Sequence, residues 1–85
     1  MKIIINKKAI ETRQEEIIQD IITKAREAAD KGLVFFNYTF DYYERRTLNQ
    51  YIIIGKEIEK RTEGTVVCAY RGDSFTSIKF YIKNV

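Results

Sequence analysis

The stretch LVFFNYTFDYY, residues 33–43, decides the fold class, because its aromatic and β-branched residues alternate between the two faces of a strand. One face would carry only apolar and aromatic side chains, namely Val34, Phe36, Tyr38, Phe40 and Tyr42. The other face would be mixed, with Phe35, Asn37, Thr39 and Asp41. A strand of this kind predicts a sheet that helices cover on one side only.

The residues before this strand predict a helix and, ahead of it, a first strand. A capping box formed by Thr12 and Glu15 would begin the helix. Isoleucines and alanines then recur at helical spacing, and Gly32 is placed to end the helix in a left-handed conformation. Upstream, the β-branched run Lys2–Asn6 predicts a short strand.

The residues after the central strand allow two interpretations. Ile52 to Ile54 favour a strand by propensity, which would make a β-meander. However, Thr47 and Gln50 form a second capping box, helical spacing continues to Ile58, and Gly64 follows as a stop, so residues 47–64 are predicted to be a helix. Residues 65–83 predict a closing β-hairpin with Arg71-Gly72-Asp73-Ser74 at its tip.

Together these elements predict one α+β domain spanning residues 1–85, with the order β-α-β-α-β-β. The expected architecture is a two-layer sandwich in which two helices lie on one face of a four-stranded mixed sheet. If the first three strands are parallel, their carboxyl ends and the loops that follow them lie at one edge of the sheet.

That edge would be strongly basic, and we call it the basic rim. Its loops hold six cationic residues, which are Lys7, Lys8, Arg13, Arg45, Arg46 and Arg71. The same loops hold three acidic residues, so the rest of the chain is balanced and the net charge of +3 lies on the rim. Both predicted helices also begin there, which favours an anion such as a phosphate. The alternative is that polar loops are basic by chance and that Arg45 pairs with Glu44 or Asp41.

The uncovered face of the sheet is a second candidate surface. It would expose Leu33, Phe35 and Tyr81 beside Lys79 and Lys83. Aromatic side chains interleaved with lysines can stack single-stranded bases. The more ordinary outcome is burial of Leu33, Phe35 and Tyr81 in a dimer or partner interface.

Composition argues against an enzyme. The chain has no histidine, which removes the usual general base and the commonest metal ligand, so no cofactor or metal is expected. Its single cysteine, Cys68, lies on a predicted core strand and suits a reducing compartment, which predicts a cytoplasmic location. No segment is apolar for long enough to span a membrane.

The predicted element order, together with the segments INKKAI, ERRTLNQYIIIGKEI and VVCAY…TSIKFYI, resembles the Alba chromatin-protein superfamily, including its stage V sporulation protein S branch. The resemblance covers nearly the whole chain, mostly as topology. It implies an Alba-like domain, nucleic-acid contacts from Lys7, Lys8, Arg46 and Arg71, and a homodimer.

These observations lead to two hypotheses. The first is a small protein that binds the phosphate backbone of DNA or RNA through the basic rim, largely independently of sequence. The second is a non-enzymatic protein-binding module, such as a small regulator or inhibitor from a virus or mobile element, that docks a partner on its exposed sheet face.

Overall fold

The computed structural model describes residues 2–41, 43, 48–69 and 77–83. The described elements are, in order, α1 (Lys7–Asp30), β1 (Phe35–Thr39), α2 (Leu48–Arg61), β2 (Val66–Ala69) and β3 (Ser77–Ile82). The α+β class is therefore confirmed. The predicted four strands and their order are wrong for the described residues, because the sheet has three strands and the order is α-β-α-β-β.

The first predicted strand is absent because α1 begins earlier than expected. Asn6 has extended dihedral angles and caps the helix, since its Oδ1 accepts the backbone N–H of Ala9 at 3.0 Å. No proline or glycine interrupts the chain between Asn6 and Thr12, so the helix runs straight through the capping box that was expected to start it. Lys2–Asn6 belongs to no strand.

The end of α1 is as predicted. Lys31 is the C-cap and Gly32 has φ +76°, the left-handed conformation that glycine adopts without strain. The N–H of Gly32 donates to the carbonyl of Ala29, and the N–H of Leu33 donates to the carbonyl of Ala28, both at 2.9 Å. This is a Schellman motif, and it turns the chain directly into β1.

The helical interpretation of the segment after β1 is confirmed for Leu48–Arg61, and the β-meander is wrong. Tyr51, Ile54 and Ile58 are buried along one side of α2, whereas Ile53 is exposed, which is the pattern of an amphipathic helix. After the helix, Gly64 has φ +80° and donates its N–H to the carbonyl of Glu59 at 2.8 Å. Thr47, the predicted cap, lies outside the described residues.

The sheet has the order β1-β3-β2, so the last strand lies in the middle. Both neighbours of β3 are antiparallel to it, with Phe36 opposite Phe80 on one side and Cys68 opposite Phe80 on the other. It follows that β1 and β2 run parallel to each other without touching. The mixed sheet that was expected is wrong for the described strands, since every direct pairing is antiparallel.

Both helices pack on the same face of this sheet. Phe80 is fully buried and stacks on Phe36 with ring centroids 5.3 Å apart, while Phe40 contacts Tyr51 of α2 at 5.0 Å. The remaining core is aliphatic apart from Cys68 and comes from both helices, β2 and β3: Ile17, Ile18, Ile21, Ala25, Ile54, Ile58, Val66, Cys68 and Ile78. The predicted core face of residues 33–43 is confirmed for Phe36, Tyr38 and Phe40. It is wrong for Val34, which precedes β1 and is 60% exposed, and Tyr42 lies outside the described residues.

Polar contacts at the surface join the elements at two points. Arg61, near the end of α2, contacts Glu15 of α1 at 2.6 Å and Glu57 of its own helix at 2.9 Å. The hydroxyl of Tyr38 donates to Asp20 of α1 at 2.8 Å, which ties α1 to β1. Neither described helix combines the length and apolar character that crossing a membrane requires.

Candidate functional site

The candidate site is the face of the sheet that the helices leave uncovered, which we call the outer face. Phe35 of β1 lies directly opposite Tyr81 of β3, and Val67 of β2 lies on the other side of Tyr81. Phe35 is 46% exposed and Tyr81 is 39% exposed. The outer face therefore presents an apolar row across all three strands, as the alternation of β1 predicted.

A second row runs parallel to the first, with Asn37 and Ala69 on either side of Lys79. The Nζ of Lys79 lies 4.3 Å from the ring centroid of Phe35 and 5.3 Å from that of Tyr81. The ammonium group thus interacts with two aromatic rings at once. Because these side chains are on the surface, each such contact contributes only about 0.5–1 kcal/mol.

The charge of the two layers is unequal. None of the residues of β1, β2 and β3 is acidic, and Lys79 is the charged residue among them. By contrast, α1 and α2 together carry eight carboxylates and eight cationic side chains, so their net charge is zero; the carboxylates are Glu11, Glu15, Glu16, Asp20, Glu27, Asp30, Glu57 and Glu59. A polyanion on the outer face would therefore meet one cation and no carboxylate of the strands.

Only part of the predicted basic rim can be located. The chain leaves β1 after Thr39 and leaves β2 after Ala69. Because these two strands are parallel, both exits are at the same end of the strands. The segments that contain Arg45, Arg46 and Arg71 therefore start at the same end of the sheet, as the predicted rim requires. These three arginines themselves lie outside the described residues.

The third basic segment does not belong to that edge as a loop. Lys7, Lys8 and Arg13 lie in the first two turns of α1 and are exposed, because the segment expected to be a loop after a first strand is helical. Arg13 contacts Glu16 on the same helix at 3.0 Å. The inference that three loops meet at one rim is thus wrong for this segment.

The single cysteine is buried and its thiol is unreactive at neutral pH. Cys68 is 5% exposed within the core of β2, and burial raises the pKa of its thiol to about 12. The thiol is therefore protonated at neutral pH and lacks the thiolate that nucleophilic catalysis requires. Among the residues that the structure describes, no group of three or more acidic or cysteine side chains is arranged to hold a metal ion.

The same burial predicts that stability falls in alkali. In the unfolded chain the thiol ionises near its ordinary value of 9, whereas the folded pKa of Cys68 is about 12, so folding retains a proton that unfolding releases above pH 9. Burial and the hydrogen bond to Asp20 likewise raise the pKa of Tyr38 from 10 to about 12. We expect the urea midpoint to fall steadily from pH 9 upwards. In a Cys68→Ala variant the urea midpoint should not fall between pH 9 and 10. If the midpoints of the variant and the wild type fall equally over this range, the prediction is wrong.

Comparison with protein-family models, with curated proteins and with solved structures finds no match for this chain. The resemblance to the Alba superfamily therefore stays a prediction.

Sequence reasoning identified Phe35, Tyr81 and Leu33 as exposed, and the structure confirms all three. It did not identify the central position of β3, which places Lys79 between the two rings. The alternation in SIKFYI assigns Lys79 and Tyr81 to one face, but no local signal states which strands lie on either side.

Proposed function

We propose that this domain is a small, non-enzymatic nucleic-acid-binding protein that holds single strands on its outer face, largely independently of sequence. The observation that supports the proposal is the pair of exposed rings, Phe35 and Tyr81, on neighbouring strands with the ammonium group of Lys79 over both. Exposed aromatic rings beside cations, on a surface without carboxylates, are the elements from which single-strand-binding surfaces are built.

The energies favour a base over the resting arrangement. Stacking one base on an aromatic side chain contributes about 1–3 kcal/mol. The contacts of Lys79 with the rings contribute about 0.5–1 kcal/mol each at an exposed site. A base that displaces the ammonium group from a ring therefore gains on balance, and the flexible lysine is then available to a phosphate beside that base.

A single strand fits this surface better than a duplex, because paired bases hide their ring faces within the helical stack. Every base has such a face, so stacking on Phe35 and Tyr81 would discriminate little between sequences. Phosphates further along the strand would be bound by Arg45, Arg46 and Arg71, whose segments start beyond Thr39 and Ala69, about 13 Å along β1 from Phe35.

The test is a fluorescence-anisotropy titration with a labelled single strand and a labelled duplex over a range of salt. If about five phosphates are neutralised, the log–log salt slope for the single strand should be near roughly −3.5. An Arg45→Ala/Arg46→Ala variant should bind more weakly and with a shallower slope. A Lys56→Ala/Lys60→Ala variant, which removes the same charge from the exposed surface of α2, is the matched control. A folded protein that does not bind at low salt would refute the proposal.

A second function, docking of a protein partner, is favoured by the apolar character of the same face. Leu33, two residues before Phe35, is 50% exposed and is a further exposed apolar side chain. Under this alternative, polar substitutions at Leu33 and Phe35 would abolish binding of the protein partner, while the Arg45/Arg46 variant would retain it.

We further propose a cytoplasmic location, since the reduced thiol of Cys68 is compatible with it.

A further inference from the structure

The segment Lys2–Asn6, which we call the isoleucine arm, exposes three consecutive large apolar side chains. Ile3, Ile4 and Ile5 are 86%, 93% and 66% exposed, and Ile10 in the first turn of α1 is 55% exposed. Three consecutive β-branched residues favour an extended strand, and Asn6 at the helix cap has extended dihedral angles. It has strand character but no strand beside it.

The arm cannot pair with the sheet of its own chain. Residues Lys7–Arg13 are exposed, and Ile17 is the first buried residue of α1. The helical rise of 1.5 Å per residue places Lys7 about 15 Å further along the helix axis than Ile17. Five extended residues reach at most about 17 Å, so returning to the body leaves no length for pairing. The elongated shape of the molecule, 51 × 26 × 18 Å, agrees with a projecting α1.

A suitable place for such a strand exists on the sheet. In the described sheet β1 pairs with β3 alone, so the backbone groups on its other side face outwards and form a template for a further strand. The segment leading into β1 exposes two apolar side chains, Leu33 and Val34. The strand itself has five residues, the same number as the arm.

We propose that the isoleucine arm adds to the free edge of β1 in a second copy of this chain, and that two copies exchange arms reciprocally. The same surface would be used on both copies, which gives a closed dimer and not a growing chain of copies. Each body would then hold a four-stranded sheet in the order arm-β1-β3-β2, with the strand predicted from Lys2–Asn6 supplied by the partner. The exchange leaves the outer face open, so it does not depend on the proposed function.

The oligomeric state of the full chain tests this proposal. Light scattering coupled to gel filtration should give twice the 10.1 kDa mass of one chain. A variant with Ile3→Asn, Ile4→Asn and Ile5→Asn should give the monomer mass with an unchanged circular dichroism spectrum. Ile53→Asn, which changes an isoleucine of α2 that is 58% exposed, should remain dimeric. A monomeric wild type, or an arm variant that is still a dimer, would overturn the proposal.

A cross-linking experiment locates the contact. Ile4 is the centre of the arm and Asn37 is the centre of β1, so the two lie opposite each other whether the strands pair parallel or antiparallel. In a Cys68→Ala background, mixing the Ile4→Cys and Asn37→Cys variants should yield a disulfide-linked pair of chains. Mixing Ile53→Cys with Asn37→Cys should not. Equal yields from both mixtures, or wild-type binding to neutral lipid vesicles as a monomer, would assign the arm to another partner.

Discussion

Replacing Phe80 with alanine is expected to lower the free energy of unfolding by about 3–5 kcal/mol, the range for truncating a buried aromatic residue. Phe80 is fully buried at the centre of the middle strand, where it stacks on Phe36 and lies opposite Cys68. A domain of this size has about 5–15 kcal/mol of stability in total, so the variant should be largely unfolded or should melt at least about 10 °C lower.

The matched control for this prediction is Phe35→Ala, the same change on the opposite face of the sheet. Phe35 is nearly half exposed, so its truncation leaves no cavity and should cost about 1 kcal/mol or less. Urea titrations of both variants and the wild type measure the difference. Equal losses at Phe80 and Phe35 would mean that the helices do not cover the face on which Phe80 lies.

The second large effect is expected on binding. Removing either exposed ring, by Phe35→Ala or Tyr81→Ala, should weaken single-strand binding roughly 5- to 150-fold, because each stacked base contributes about 1–3 kcal/mol. The two rings are neighbours, so the double variant should lose less than the product of the single losses. Duplex binding, which uses phosphates alone, should change little.

Two controls separate stacking from charge. Ile53→Ala removes an exposed apolar side chain from α2 and should leave single-strand affinity unchanged. Lys79→Ala should make the salt slope shallower by about 0.7, the value for one phosphate contact on a single strand. If the Phe35/Tyr81 double variant binds as tightly as the wild type, the bases do not lie on the outer face and the basic rim alone would have to explain the affinity.

Local signals predicted the described helices and the faces of the strands well. The stops at Gly32 and Gly64 were recognisable because a left-handed residue is needed there and glycine alone adopts it freely. The second helix was recognisable in spite of Ile52 to Ile54, because the apolar positions that matter, Tyr51, Ile54 and Ile58, repeat at helical spacing.

The error at the start of the chain has a physical cause. Two N-caps were available, Asn6 and Thr12, and the sequence between them contains no helix breaker. Starting at Asn6 gains a turn and a half of helix but carries Lys2–Asn6 away from the sheet, beyond the reach of five residues. A strand prediction for Lys2–Asn6 depends on a partner at the right distance, which the local sequence does not contain.

The sequence by itself determined the α+β class, the second helix, both glycine stops and the side of the sheet on which each strand residue lies. These features depend on neighbours within a few positions, on periods of 3.6 and 2 and on the conformational freedom of glycine. Only the tertiary structure decided that β3 is central, that Lys79 lies between Phe35 and Tyr81, and that Lys2–Asn6 stays unpaired. Strand pairing joins backbone groups that are distant in the chain, so its order follows from how the helices and strands pack together.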